Sequence, residues 1–132
     1  MAYAKAQNTI AAYPDIDPII GFAGNEIPAF AEYYSELIAA GKYNVGDIVV
    51  SGFGLPNTCM EYIKSGIVNE TIAWDPGMLG YTSVYVLDEM HKGTDIASLT
   101  EVPGECALTI DGPCIYIGTI TVNADNVDSF GF

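Results

Sequence analysis

Three short apolar runs, at 17–22, 47–53 and 70–74, are each followed within a few residues by a proline suited to open a helix: Pro28, Pro56 and Pro76. This alternation constrains the fold more than any other feature of the chain. The first two runs read as buried strands and the third as a strand of the same kind. Proline is accepted in a first helical turn, where it has no N–H to lose. Behind Pro28, the residues Phe30, Tyr33, Tyr34, Leu37 and Ile38 recur at helical spacing, and Gly41 supplies a stop. Another helix runs from Pro56 to Gly66, with Met60 and Ile63 on one face. The last runs from Pro76 to about Met90, with Asp75 at the N-cap, where a carboxylate accepts backbone N–H bonds. Ahead of them, residues 2–12 are alanine-rich and helix-favouring, and Pro14 ends that helix. Strands alternating with helices through short connections predict an α/β fold, a parallel sheet with helices on both faces.

The pattern changes after Met90. Residues 107–110 and 114–117 read as a C-terminal β-hairpin turning at Asp111-Gly112, with 119–122 extending its last strand. That turn sets Cys114 opposite Leu108 or Thr109 rather than Cys106. A Cys106–Cys114 disulfide is therefore not expected, and Cys59, Cys106 and Cys114 read as half-buried thiols. The chain lacks C-x-x-C, and its single His91 has no neighbour at ligand spacing, so neither a metal nor a cofactor is expected.

Length and charge then narrow the function. The 132 residues suit one domain with a core. Seventeen Asp and Glu face four lysines and no arginine, a net charge of −13. Nucleic acid is excluded as a partner, because binding it needs clustered cations. The carboxylates are scattered, as on a solvated surface. No apolar run approaches the roughly 20 residues of a membrane helix. Residues 1–7 lack the basic end and apolar block of a secretory signal, so no signal peptide is expected in this chain.

The strand ends carry the candidate chemistry. Phe22, Gly24 and Asn25 follow the first run, Gly52 to Leu55 the second, and Trp74 and Asp75 the third. Open α/β sheets bind ligands beyond the carboxyl ends of their strands. Here those ends offer aromatic faces, an amide that donates and accepts, glycine backbone and one carboxylate. The set suits a sugar, whose hydroxyls need hydrogen-bond partners and whose C–H faces stack on rings. Each residue also has a structural reading. Asp75 serves as a helix cap, Trp74 and Phe22 as core aromatics, Asn25 as a turn residue, and Gly24 as a tight-loop glycine. Glu26 is a weak candidate, since an acid is favoured at a helix start anyway. No G-x-S-x-G elbow, Walker loop or dinucleotide fingerprint is present, and nothing sets the separation of Asp75 and Glu26 as a glycosidase pair. No catalytic residue is assigned.

Several segments bear a resemblance in order and spacing. They are Tyr13-Pro14-Asp15-Ile16-Asp17-Pro18-Ile19-Ile20-Gly21-Phe22, running into Ala23-Gly24-Asn25-Glu26-Ile27-Pro28; Val50-Ser51-Gly52-Phe53-Gly54-Leu55-Pro56-Asn57; and Trp74-Asp75-Pro76-Gly77-Met78-Leu79-Gly80-Tyr81 with Val84-Tyr85-Val86. The closing Asn126-Val127-Asp128-Ser129-Phe130-Gly131-Phe132 joins them. Together they resemble the sugar-binding proteins of ATP-driven importers, of the rhamnose and autoinducer-2 type. The stretch 100–120 is shorter than is usual there.

The resemblance implies a periplasmic-binding-protein-like lobe that is not an enzyme. It implies a small-molecule sugar or related polyol as ligand, an ABC transporter permease as the parent's partner, and a periplasmic or cell-surface location for that parent. It also implies an incomplete two-lobed receptor: 1–75 match part of the C-terminal lobe, and 76–132 match a crossing helix, hairpin and tail. In such receptors the helix at 76–90 packs on the other lobe. Its stripe of Leu79, Val84, Leu87 and Met90 then lacks a partner, and a homodimer or rearranged monomer with weak ligand binding is expected. Two other readings share the fold: a ligand-sensing domain of a sugar-responsive transcription regulator, and a truncated relic without transport function.

Overall fold

The computed structural model describes residues 1–103 and 106–132. In chain order the elements are α1 (Ala2–Ala12), β1 (Ile19–Gly21), α2 (Glu26–Ala39), β2 (Val50–Gly52), α3 (Pro56–Lys64), β3 (Thr71–Ala73), α4 (Pro76–Lys92), β4 (Glu101–Val102), β5 (Cys106–Ala107), β6 (Thr109–Asp111), β7 (Cys114–Tyr116) and β8 (Ile120–Val122). Gly104 and Glu105, within the stretch between α4 and the hairpin, lie outside the described residues. The chain divides into two compact units, one of 1–73 with 121–132 and one of 74–120.

The first unit holds the strand–helix alternation. β1 and β2 pair in parallel, with Ile19 opposite Val50 and Gly21 opposite Gly52. Phe53 bridges to Ile72, again in parallel, so the ends of all three strands point the same way. β3 also pairs with β8. This corrects the reading of 119–122 as a continuation of the hairpin: Val122 is wholly buried in the first unit, and burying it against the main core is worth more than lengthening an exposed ribbon.

Helix α2 supplies more of that core than any other element, through Ile27, Phe30, Ala31, Tyr34 and Leu37. It begins at Glu26, two residues before the expected proline, and Pro28 falls within the first turn, where no intrahelical N–H bond is lost. Tyr34 is buried, and its hydroxyl donates to the Asn44 carbonyl at 2.7 Å while accepting the Ile48 N–H at 3.1 Å. Burial raises the Tyr34 pKa. Helix α1 packs on α2 through buried Ala6 and Ile10. The Tyr3 ring meets Tyr33 edge-on at 5.7 Å, and its hydroxyl donates to Glu36 Oε2 at 2.6 Å. From α3, Cys59 and Ile63 face the core, and burial pushes the Cys59 thiol pKa up. The tail returns to α3: the Asn57 N–H donates to the Phe132 carbonyl at 3.1 Å, and Lys64 pairs with Asp128.

The run at 17–22 is not a fully buried strand. Only Ile19–Gly21 is β, Ile20 is 57% exposed and Phe22 is 85% exposed. Among the described residues β1 has one strand neighbour, β2, and α2 is the helix packed most closely on it, so its burial alternates.

In the second unit, α4 runs from the Asp75 cap to Gly93, whose φ of 85° gives the left-handed stop that glycine adopts freely. Its buried residues are Thr82 and Val86. Leu79, Val84, Leu87 and Met90 are all exposed, Val84 by 67%. His91 is exposed in the last turn. β4 and β5 pair antiparallel. The hairpin forms from β6 and β7, but one step away from the expected register: Asp111 lies opposite Cys114. The two-residue turn is therefore Gly112-Pro113, with Gly112 at φ 56° in the position that requires glycine and the proline ring fixing the next. The cysteines are free, with Cys59 buried, Cys106 half-buried and Cys114 exposed. Among the described residues no helix is long and apolar enough to cross a membrane.

Candidate functional site

Parallel pairing places the carboxyl ends of β1 and β2 side by side, and the tightness of that pairing rests on two glycines. Gly52 has φ 133°, and a Cβ there would sit 2.1 Å from the Gly21 carbonyl oxygen. A Cβ on Gly21 would in turn meet Ile27 Cδ1 at 2.7 Å. No larger residue fits at Gly52 without displacing the backbone, and one at Gly21 would have to push the Ile27 side chain aside.

The loop leaving β1 carries three candidates. Phe22 is exposed, so the core reading of its ring does not hold. Gly24 lies against Phe53, with 3.2 Å from its Cβ position to the ring. Asn25 occupies the N-cap position of α2, yet its side chain makes no cap hydrogen bond. Glu26 holds the loop instead: its Oε2 accepts the N–H groups of Phe22 at 2.9 Å and Ala23 at 3.2 Å. Phe53 and the Glu26 contacts are what the sequence reading did not assign. The acid at the helix start, directly after a glycine-containing loop, was the only signal for the second.

Trp74 and Asp75 open the second unit. Trp74 is 39% exposed, neither a core ring nor a free one. Asp75 Oδ1 accepts the N–H groups of Gly77 at 2.7 Å and Met78 at 3.1 Å, so the capping role is present. Its Oδ2 has no hydrogen bond among the described residues, leaving an acceptor beyond the cap. Trp74 and Leu79 also line a shallow concavity of about 220 Å³ with 115–119, a contribution of the hairpin that sequence reading missed. In the first unit a groove of about 210 Å³ runs between α1, β1 and α2, with Lys5 and Glu26 at its margin. Three of the five candidates thus lie in the first unit and two in the second. Among the described residues no cluster of His, Cys, Asp and Glu is arranged to hold a metal.

A family model described as a periplasmic binding protein domain matches residues 1–95. The chain superposes on the crystal structure of a sugar ABC transporter from Actinomyces odontolyticus with a TM-score of 0.78 and 29% identity, covering 99% of this chain and 42% of that one. A solute binding protein from Clostridium phytofermentas with bound L-rhamnose gives a TM-score of 0.71 at 21% identity, covering 97% and 44%. LsrB from Clostridium saccharobutylicum in complex with AI-2 gives 0.70 at 19% identity, covering 99% and 44%. The chain therefore spans less than half the length of these structures.

Proposed function

The chain belongs to the periplasmic binding protein domain family, and we propose that it forms part of the sugar-recognising component of an ABC importer, acting by binding and not by catalysis. The match over 1–95 carries this reading, because that segment contains all five candidate residues. The ligand is a monosaccharide or a small polyol of similar chemistry, with rhamnose and AI-2 as the leading candidates. In the first unit Asn25 offers an amide and Phe22 a ring face; in the second, Asp75 Oδ2 offers an acceptor and Trp74 a ring face for the C–H side of a sugar. Gly24 brings backbone close to the ligand. The parent protein works in the periplasm or at the cell surface and delivers ligand to a membrane permease. The chain itself, with the exposed stripe of α4, self-associates as a homodimer.

Binding by the isolated chain is weak, with Kd on the order of millimolar, because the chain spans under half of its relatives. Competition among L-rhamnose, arabinose, D-fucose and AI-2, read by NMR line shifts, ranks the candidates. Saturable shifts with at least one are expected. Their absence with all four, in a folded sample, contradicts the reading.

A further inference from the structure

The loop after β1 divides its work between two adjacent residues. Asn is a favoured N-cap because its side chain satisfies a helix's first N–H groups, yet Asn25 at that position of α2 makes no such bond. Glu26 follows it, half-buried, with one carboxylate oxygen accepting two N–H groups of the loop itself, from Phe22 and Ala23. Hydrogen bonds to an ionised acceptor are the stronger kind. A third constraint is the Phe53 ring lying against Gly24. The backbone from Phe22 to Asn25 is thus held from its own helix and from the neighbouring strand end. Among the described residues, the Asn25 amide makes no cap bond and remains free to face a ligand.

We infer that Glu26 is a positioning residue: it fixes the loop that presents Phe22 and Asn25 and is not itself a ligand contact. This rests on the sugar-binding reading above for its consequence, though not for its geometry. One carboxylate oxygen is already engaged by the loop's own N–H groups. Glutamine keeps a carbonyl acceptor of the same reach without the charge, whereas alanine removes the acceptor altogether.

Two measurements on the full chain test this. The first is amide hydrogen exchange without ligand. E26A should speed exchange at Phe22 and Ala23 by about tenfold or more, because both N–H groups then lack their acceptor. E26Q should stay within about threefold, and exchange at Val50 and Val122 should not change in either. Unchanged exchange at Phe22 and Ala23 in E26A overturns the proposal. The second is an NMR titration with L-rhamnose. E26A should weaken binding about tenfold and E26Q by less than threefold, whereas N25A should weaken it without altering exchange at Phe22 and Ala23. Equal loss in E26Q and E26A makes Glu26 a direct contact and overturns the proposal. If the unaltered chain binds no sugar, the functional reading fails, and the exchange result alone decides the role of Glu26.

Discussion

The Tyr34 hydroxyl satisfies two backbone groups at once, the carbonyl of Asn44 and the N–H of Ile48, from a wholly buried side chain. Replacing it with phenylalanine leaves both groups without their partner. A Tyr34→Phe variant should lose about 1–3 kcal/mol in urea unfolding. Thr71 presents the opposite case: its Oγ1 is buried with no partner among the described residues. Valine keeps the shape and removes the orphaned hydroxyl, so Thr71→Val should raise the unfolding free energy measured in urea by about 1 kcal/mol or more. Tyr3 adds a pH signature. The bond to Glu36 Oε2 favours its protonated form and lifts its pKa from 10.0 to about 12. Stability from this group is full below pH 10 and is lost as pH rises through about 12. Spectrophotometric titration should show one tyrosine ionising last, and Tyr3→Phe should delete that step. None of these partners was legible in the sequence. Tyr34 stood out only as one member of a helical stripe, because its bonds reach a loop whose path no local pattern describes.

At the scale of elements, the strand–helix alternation was legible because each strand is closed by a turn and each later helix carries a proline in its first turn. The strand ends were legible for the same reason, since glycine marks close approach. Gly52→Ala should test that directly. A Cβ there collides with the Gly21 backbone, so the variant should be destabilised by more than about 1–3 kcal/mol and lose protection in β1 and β2 together. What escaped sequence reading was long-range or depended on one residue of register. β8 was seen as a strand but not as the neighbour of β3, which lies far earlier in the chain. The hairpin turn moved by one position because Pro113 fits the second turn site. Of the two readings of Phe22, core aromatic and ligand-facing ring, the core one fails, because a strand with one neighbour among the described residues leaves its far end uncovered. The cap of α4 behaves as read. Asp75→Ala should cost about 0.5–2 kcal/mol, and Asp75→Asn should retain most of it; both should weaken sugar binding if Oδ2 serves the ligand.

For the molecule as a whole, net charge and exposed apolar surface act against each other. The stripe of Leu79, Val84, Leu87 and Met90 favours association, while a charge of −13 on each copy opposes it. Salt screens the repulsion and leaves the apolar attraction. Sedimentation equilibrium should therefore show a dimer fraction that grows between low and moderate salt, and Leu87→Glu should abolish it. A monomer at every salt and concentration contradicts self-association through α4. The family was legible from motif order, since the segments that carry it sit at the strand ends. The ligand was not, because candidate contacts are divided between two units and the chain spans under half of its relatives. The central claim is that the residues following β1 and β3 recognise a sugar. Its most direct test is a backbone NMR titration of the chain with L-rhamnose and AI-2. The account predicts saturable shifts concentrated at 22–25 and 74–75 for at least one of them, reduced in N25A. Shifts absent at both segments, or confined to residues elsewhere, would contradict it.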